Sequence, residues 1–114
     1  MGLARDYWEG YEYYRVSPAK HPRSVNKLMF SRMDSILTYT ALAQVQMCAP
    51  RPMLFIAGTQ AGTRYFSEEA HLKVKEYSQL CLIEGATHIE LYYKEPYVTQ
   101  ALDRLQGFFK EHLR

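Results

Sequence analysis

The 114-residue sequence predicts a small α/β fold, and three observations in its second half carry that expectation. Two short apolar runs, Met53–Ala57 and Leu80–Ile83, are each closed by a glycine, Gly58 and Gly85, as suits strands covered by other elements. A helical stretch lies between them and another follows, so strand, helix, strand and helix alternate with short connections. That order implies a parallel pair joined by a crossover. Two strands are too few for a stable open sheet alone, so the chain reads as part of a larger sheet completed by something else.

Taken in order, residues 1–50 read as a helical and loop excursion, and residues 51–114 as a β-α-β-α core of the same single domain. A first short helix is expected over Tyr7–Tyr14 with Asp6 as its cap. Ser17-Pro18 and His21-Pro22 then break the chain. Ile36, Leu37, Ala41, Leu42 and Val45 recur at three- and four-residue intervals, predicting a helix over Ser31–Met47 that Asp34 or Ser35 caps and Pro50 and Pro52 stop. After the first strand, Ser67 followed by Glu68 and Glu69 marks a helix start reaching about Tyr77. Pro96 opens the last helix, where its missing N–H costs nothing. Val98, Ala101, Leu102, Leu105, Phe108, Phe109 and His112 form its apolar stripe.

Composition narrows the function classes. Hydrophobic residues at 47% and charged residues at 23% suit an ordinary globular domain rather than a disordered chain. No apolar run approaches the ~20 residues of a membrane span, and no leader pattern starts the chain, so a cytoplasmic location is expected. Cys48 and Cys81 match no metal or redox spacing and read as free thiols. The basic stretch of Arg15, Lys20, Arg23, Lys27 and Arg32, with Tyr13, Tyr14 and Phe30 beside it, invites a nucleic-acid reading. From residue 51 onward, however, eight basic residues meet eight acidic ones, and the net charge is only +2. A solvated loop face is the better reading, and neither nucleic acid nor membrane is expected as a partner. His21, His71 and His112 lack ligand spacing and the glycines are scattered, so neither a metal site nor a cofactor site is expected.

Functional groups of open α/β sheets sit on loops beyond the carboxyl ends of the strands. The second such loop carries Gly85-Ala86-Thr87-His88-Ile89-Glu90-Leu91-Tyr92, and its His88 can act as a general base near neutral pH. That run, together with Arg51–Gly58, Thr63–Glu68 and Phe108-Phe109, resembles the C-terminal part of an α/β-hydrolase of the dienelactone-hydrolase-like and polyketide-transferase-like branch. The resemblance covers most of residues 7–114. It implies a partial α/β-hydrolase sheet and makes His88 the histidine of a Ser-His-Asp triad.

Two departures limit what it implies. None of the six serines lies in a Gly-x-Ser-x-Gly turn, so the nucleophile motif of such enzymes is absent from these 114 residues. Where a Gly-x-x-Asp pattern would place the acid after the first strand, Gly58-Thr59-Gln60-Ala61 has Ala61. Glu68, Glu69 or Glu90 could orient His88, although the first two also suit a helix start and Glu90 a solvated loop. Tyr92 and Tyr93 read as surface packing.

The expectation is therefore a serine hydrolase-like C-terminal fragment. Its parent would hydrolyse or transfer the acyl group of a small ester, lactone or thioester, and the chain alone would be inactive. The alternative is a non-enzymatic α/β remnant acting as an oligomeric or binding module. In either case the unpaired strand edges and the apolar last helix favour a homo-oligomer or a partner that supplies the other half.

Overall fold

Two strands, β1 (Met53–Gly58) and β2 (Ser78–Ile83), pair in parallel, with Met53 opposite Ser78 and Gly58 opposite Ile83. The structure, a computed structural model, describes residues 2–113. Around this pair lie α1 (Gly2–Tyr11), α2 (Met33–Thr38), α3 (Arg64–Lys73) and α4 (Tyr97–His112). The α/β expectation holds at this level: a two-stranded parallel sheet, a helical crossover and a C-terminal helix. Among the described residues no helix is long and apolar enough to cross a membrane.

The core is built from small side chains where β1, α3, β2 and the following loop meet. Ala57, Ala61, Ala70, Val74, Ile83, Ala86 and Ile89 are buried, and Val45 joins them from the N-terminal segment. Burying the Ile83 side chain contributes on the order of 2 kcal/mol. The strands are less covered than their apolar runs suggest: most of their residues are half-buried and Leu82 is exposed. On α4 the expected stripe is partly seated. Val98, Ala101, Leu105 and Phe108 are half-buried, whereas Leu102 and Phe109 face solvent.

Several boundaries differ from the expectation. The helix expected over Ser31–Met47 forms only as α2, with a 3-10 turn before it at Phe30–Arg32 and another at Val45–Cys48. Thr38 turns its hydroxyl back onto the carbonyl of Asp34 at 2.8 Å, Tyr39 is extended, and Leu42 donates to the hydroxyl of Thr40 at 3.3 Å. Local side chain–backbone bonds of this kind compete with helix propagation. Neither Asp34 nor Ser35 caps α2.

The first helix begins before Tyr7 and continues past Tyr11 as a π-helical turn over Glu12–Val16, so Asp6 lies inside it and is not its cap. Likewise α3 starts at Arg64, three residues before Ser67, and ends at Lys73. A 3-10 turn over Lys75–Tyr77 leads into β2. Pro96 immediately precedes α4 rather than occupying its first turn.

Candidate functional site

The parallel pairing brings the loop after β1 (residues 59–63) and the loop after β2 (residues 84–89) to the same end of the sheet. They are knitted together by backbone bonds: Thr59 N–H donates to the Ile83 carbonyl at 3.0 Å and Gln60 N–H to the Ala86 carbonyl at 2.9 Å. Gly85 N–H donates to the Thr59 hydroxyl at 2.9 Å. Two glycines make this approach possible. A Cβ at Gly58 would stand 2.1 Å from the Ala86 carbonyl oxygen, and Gly85 adopts φ of 77°.

His88 is fixed by the residues on either side of it. Thr87 N–H donates to Glu90 Oε2 at 3.1 Å, and Glu90 N–H donates to Thr87 Oγ1 at 3.2 Å. This reciprocal Thr-x-x-Glu arrangement has the pattern of a capping box and closes the turn at residues 88–89 that leads into the 3-10 turn Glu90–Tyr92. Thr87 is only 2% exposed, so the box is anchored in the core and His88 is held on a rigid turn. Glu90 is therefore neither a free loop acid nor an orienter of the imidazole. Its other oxygen meets Lys94. That hydrogen bond is the main reason the carboxyl lies below its usual range; partial burial opposes the effect and Thr87 N–H adds to it. The same bond raises Lys94.

The half-buried His88 ring has a partner at each nitrogen. Its Nδ1 lies 3.3 Å from the hydroxyl of Thr63, at the start of α3, and its Nε2 lies 2.7 Å from the hydroxyl of Tyr92. Thr63 does not cap α3 with its side chain; the hydroxyl faces the histidine instead. Burial pushes the Tyr92 phenol up, with Tyr14 and Tyr13 adding to the shift, so Tyr92 remains a neutral hydroxyl. A proton on Nδ1 donated to Thr63 leaves the Nε2 lone pair to accept from Tyr92, the tautomer that a base acting through Nε2 requires.

An apolar hollow of about 570 Å³ opens beside His88, between the end of β1 and helices α3 and α4, lined by Ala61, Phe66, Leu91, Ala101 and Leu105 among others. A second hollow of about 700 Å³ is lined by Asp6, Tyr14, Lys27, Thr63 and Tyr92 among others. His88 borders both.

The other expected orienters are elsewhere. Glu68 pairs with Arg64 at 3.1 Å, and Glu69 is exposed on α3. Ala61 is buried at the position where a Gly-x-x-Asp pattern would put the acid. Cys48 and Cys81 are free thiols. Among the described residues no three His, Cys, Asp or Glu side chains gather as a metal-binding group. The sequence reading missed Thr63, whose role depends on the loop-to-loop approach. It also missed the capping box, although Thr-x-x-Glu was visible in the sequence.

No family model matches the chain. It is 36% identical over 115 residues to the uncharacterized protein PA2218 of Pseudomonas aeruginosa strain PAO1, a match that takes in 98% of this chain and 30% of that protein. The uncharacterized protein YcjY of Escherichia coli K12 is 28% identical over 106 residues, covering 92% of this chain and 35% of YcjY. The crystal structure of PA2218 superposes with a TM-score of 0.79 at 33% identity, over 99% of this chain and 35% of that one. The architecture is shared. The chain spans about a third of the length of these relatives.

Proposed function

We propose that this chain is the histidine-bearing portion of an α/β-hydrolase-like protein that hydrolyses or transfers the acyl group of a small ester, lactone or thioester. The observation that carries the reading is the setting of His88. It lies beyond the carboxyl end of β2, its Nδ1 faces the loop after β1, and the residue borders an apolar hollow of acyl-group size. Loss of the Tyr92 contact, or its replacement by a substrate-side hydroxyl, leaves Nε2 free to take a proton.

In the proposed reaction a serine hydroxyl outside these 114 residues attacks the acyl carbonyl as His88 Nε2 takes its proton. The imidazolium then returns that proton to the departing alkoxide or thiolate, leaving an acyl-serine that water or an acceptor hydroxyl opens by the same steps. The donors for the oxyanion also belong to that other portion.

The test joins the chain to the coding sequence beside it in its own genome and measures turnover of short-chain aryl esters and thioesters. His88→Ala should lower kcat about a thousandfold or more with the fold intact by circular dichroism. Near-wild-type turnover in that variant removes His88 from the mechanism. The 114 residues alone should give no rate above buffer.

The second reading, a non-enzymatic module that binds another chain, is favoured by a different observation. Both outer edges of the two-stranded sheet are unpaired among the described residues, and Phe30, Leu37, Met47 and Leu72 stand largely in solvent.

A further inference from the structure

We propose that Asp6, on α1, is the positioning acid of the His88 site, supplying from the N-terminal helix the carboxylate that the loop after β1 lacks. This rests on the reading of His88 as a base. Asp6 Oδ2 accepts the Gly62 N–H at 2.9 Å, although 56 residues separate the two positions. Gly62 lies between Ala61, where no acid is found, and Thr63, whose hydroxyl meets His88 Nδ1. The second carboxylate oxygen, Oδ1, is buried and has no hydrogen-bond partner among the described residues. Asp6, Thr63, His88 and Tyr92 border the same hollow. The link from Asp6 to the imidazole runs through the loop: its carboxylate holds Gly62, and the next residue, Thr63, meets Nδ1.

The other charges nearby are otherwise placed. Glu90 is held by Thr87 and Lys94, and Arg64 by Glu68 and the Thr59 carbonyl. Lys27 borders the hollow without an ion pair among the described residues. A carboxylate with one unmatched buried oxygen needs a donor, and anions draw protons toward themselves. Asp6 therefore does two things: it fixes the loop that carries Thr63, and it favours the imidazole tautomer with its proton on Nδ1. The tautomer and orientation of a catalytic histidine are what a triad acid sets.

The two roles separate in Asp6→Asn. The amide oxygen still accepts the Gly62 N–H, but the charge is gone. Long-range ¹H–¹⁵N spectra of the histidine-labelled full chain, at a pH where the imidazole is neutral, read the tautomer directly. In the unmodified chain Nδ1 of His88 should carry the proton. In Asp6→Asn the ratio of Nδ1–H to Nε2–H forms should fall about fivefold, with the Gly62 amide resonance and thermal stability little changed. Asp6→Glu should restore part of the ratio.

Unchanged ¹⁵N shifts of His88 in Asp6→Asn, with the fold retained, overturn the proposal and leave Asp6 a loop anchor. If Asp6→Asn unfolds, the Asp6→Glu spectrum decides: a ratio below that of the wild type, because the carboxylate is displaced by one methylene, supports the assignment, and an unchanged ratio refutes it. None of these readouts needs turnover. A chain in which Asp6 sets the tautomer but His88→Ala keeps full activity in the joined protein thus refutes the hydrolase reading without touching this one.

Discussion

Replacing Gly58 with alanine should cost more stability than its size suggests. The added Cβ would lie 2.1 Å from the Ala86 carbonyl oxygen and 2.6 Å from its carbon, whereas ordinary contact begins near 3.4 Å. Backbone, not a flexible side-chain tip, would have to retreat by more than an ångström. The carbonyl that must move also accepts the Gln60 N–H, so that bond between the two site loops is strained or lost. Overpacking of this kind costs about 1–3 kcal/mol, and the hydrogen bond adds about 1 kcal/mol.

The internal comparison is Gly107, inside α4, where an added Cβ would meet nothing within 4 Å. Gly107→Ala should stabilise by roughly 0.5–1 kcal/mol, because alanine is the better helix former and restricts the unfolded chain. Urea unfolding of both variants with an unchanged slope provides the assay. Midpoints for Gly58→Ala and Gly107→Ala that agree within error would refute the claim that the two loops meet through a glycine-only gap.

Two further outcomes are expected. Glu90 has a folded-state pKa below its unfolded value, so its contribution is complete above the unfolded pKa and is lost as pH falls through the folded one. Lys94, raised in the fold, remains charged across that acidic window. The difference in urea midpoint between the wild type and Glu90→Gln should therefore be present at neutral pH and shrink in acid; a gap independent of pH would sink this account. The chain by itself should also associate at micromolar concentration through its uncovered strand edges and apolar surface. Sedimentation equilibrium showing a single 13.4 kDa species at every concentration would rule that out.

The strands were legible because Pro52, Gly58 and Gly85 punctuate continuous apolar runs, and such signals depend only on neighbours in sequence. Where the expectation failed, a local pattern met a competing local bond or a distant one. Ile36, Leu37, Ala41, Leu42 and Val45 kept helical spacing, yet the hydroxyls of Thr38 and Thr40 turned to the backbone and the helix stopped at Thr38. Ser67-Glu68-Glu69 looked like a helix start, but α3 begins at Arg64 and Glu68 pairs with that arginine. His88 was found from its place after a strand. Its surroundings were not, because Thr63 is 25 residues away and the loop it lies on is held by Asp6 from 56 residues away. No periodicity encodes a meeting between such positions; only the approach of α1 to the loop after β1 in the folded chain creates it.

The parallel register also divides the molecule into two ends under unequal constraint. Loops 59–63 and 84–89 share one end and are interlocked through glycine and carbonyl groups that leave no slack. The opposite end, with Pro52 before β1 and the Lys75–Tyr77 turn before β2, is exposed. A purification tag, a fluorescent reporter or a new pair of termini placed between Lys75 and Glu76 would sit a full strand length from His88. The same addition at Gly62 would pull apart the meeting of α1, the loop after β1 and the His88 loop.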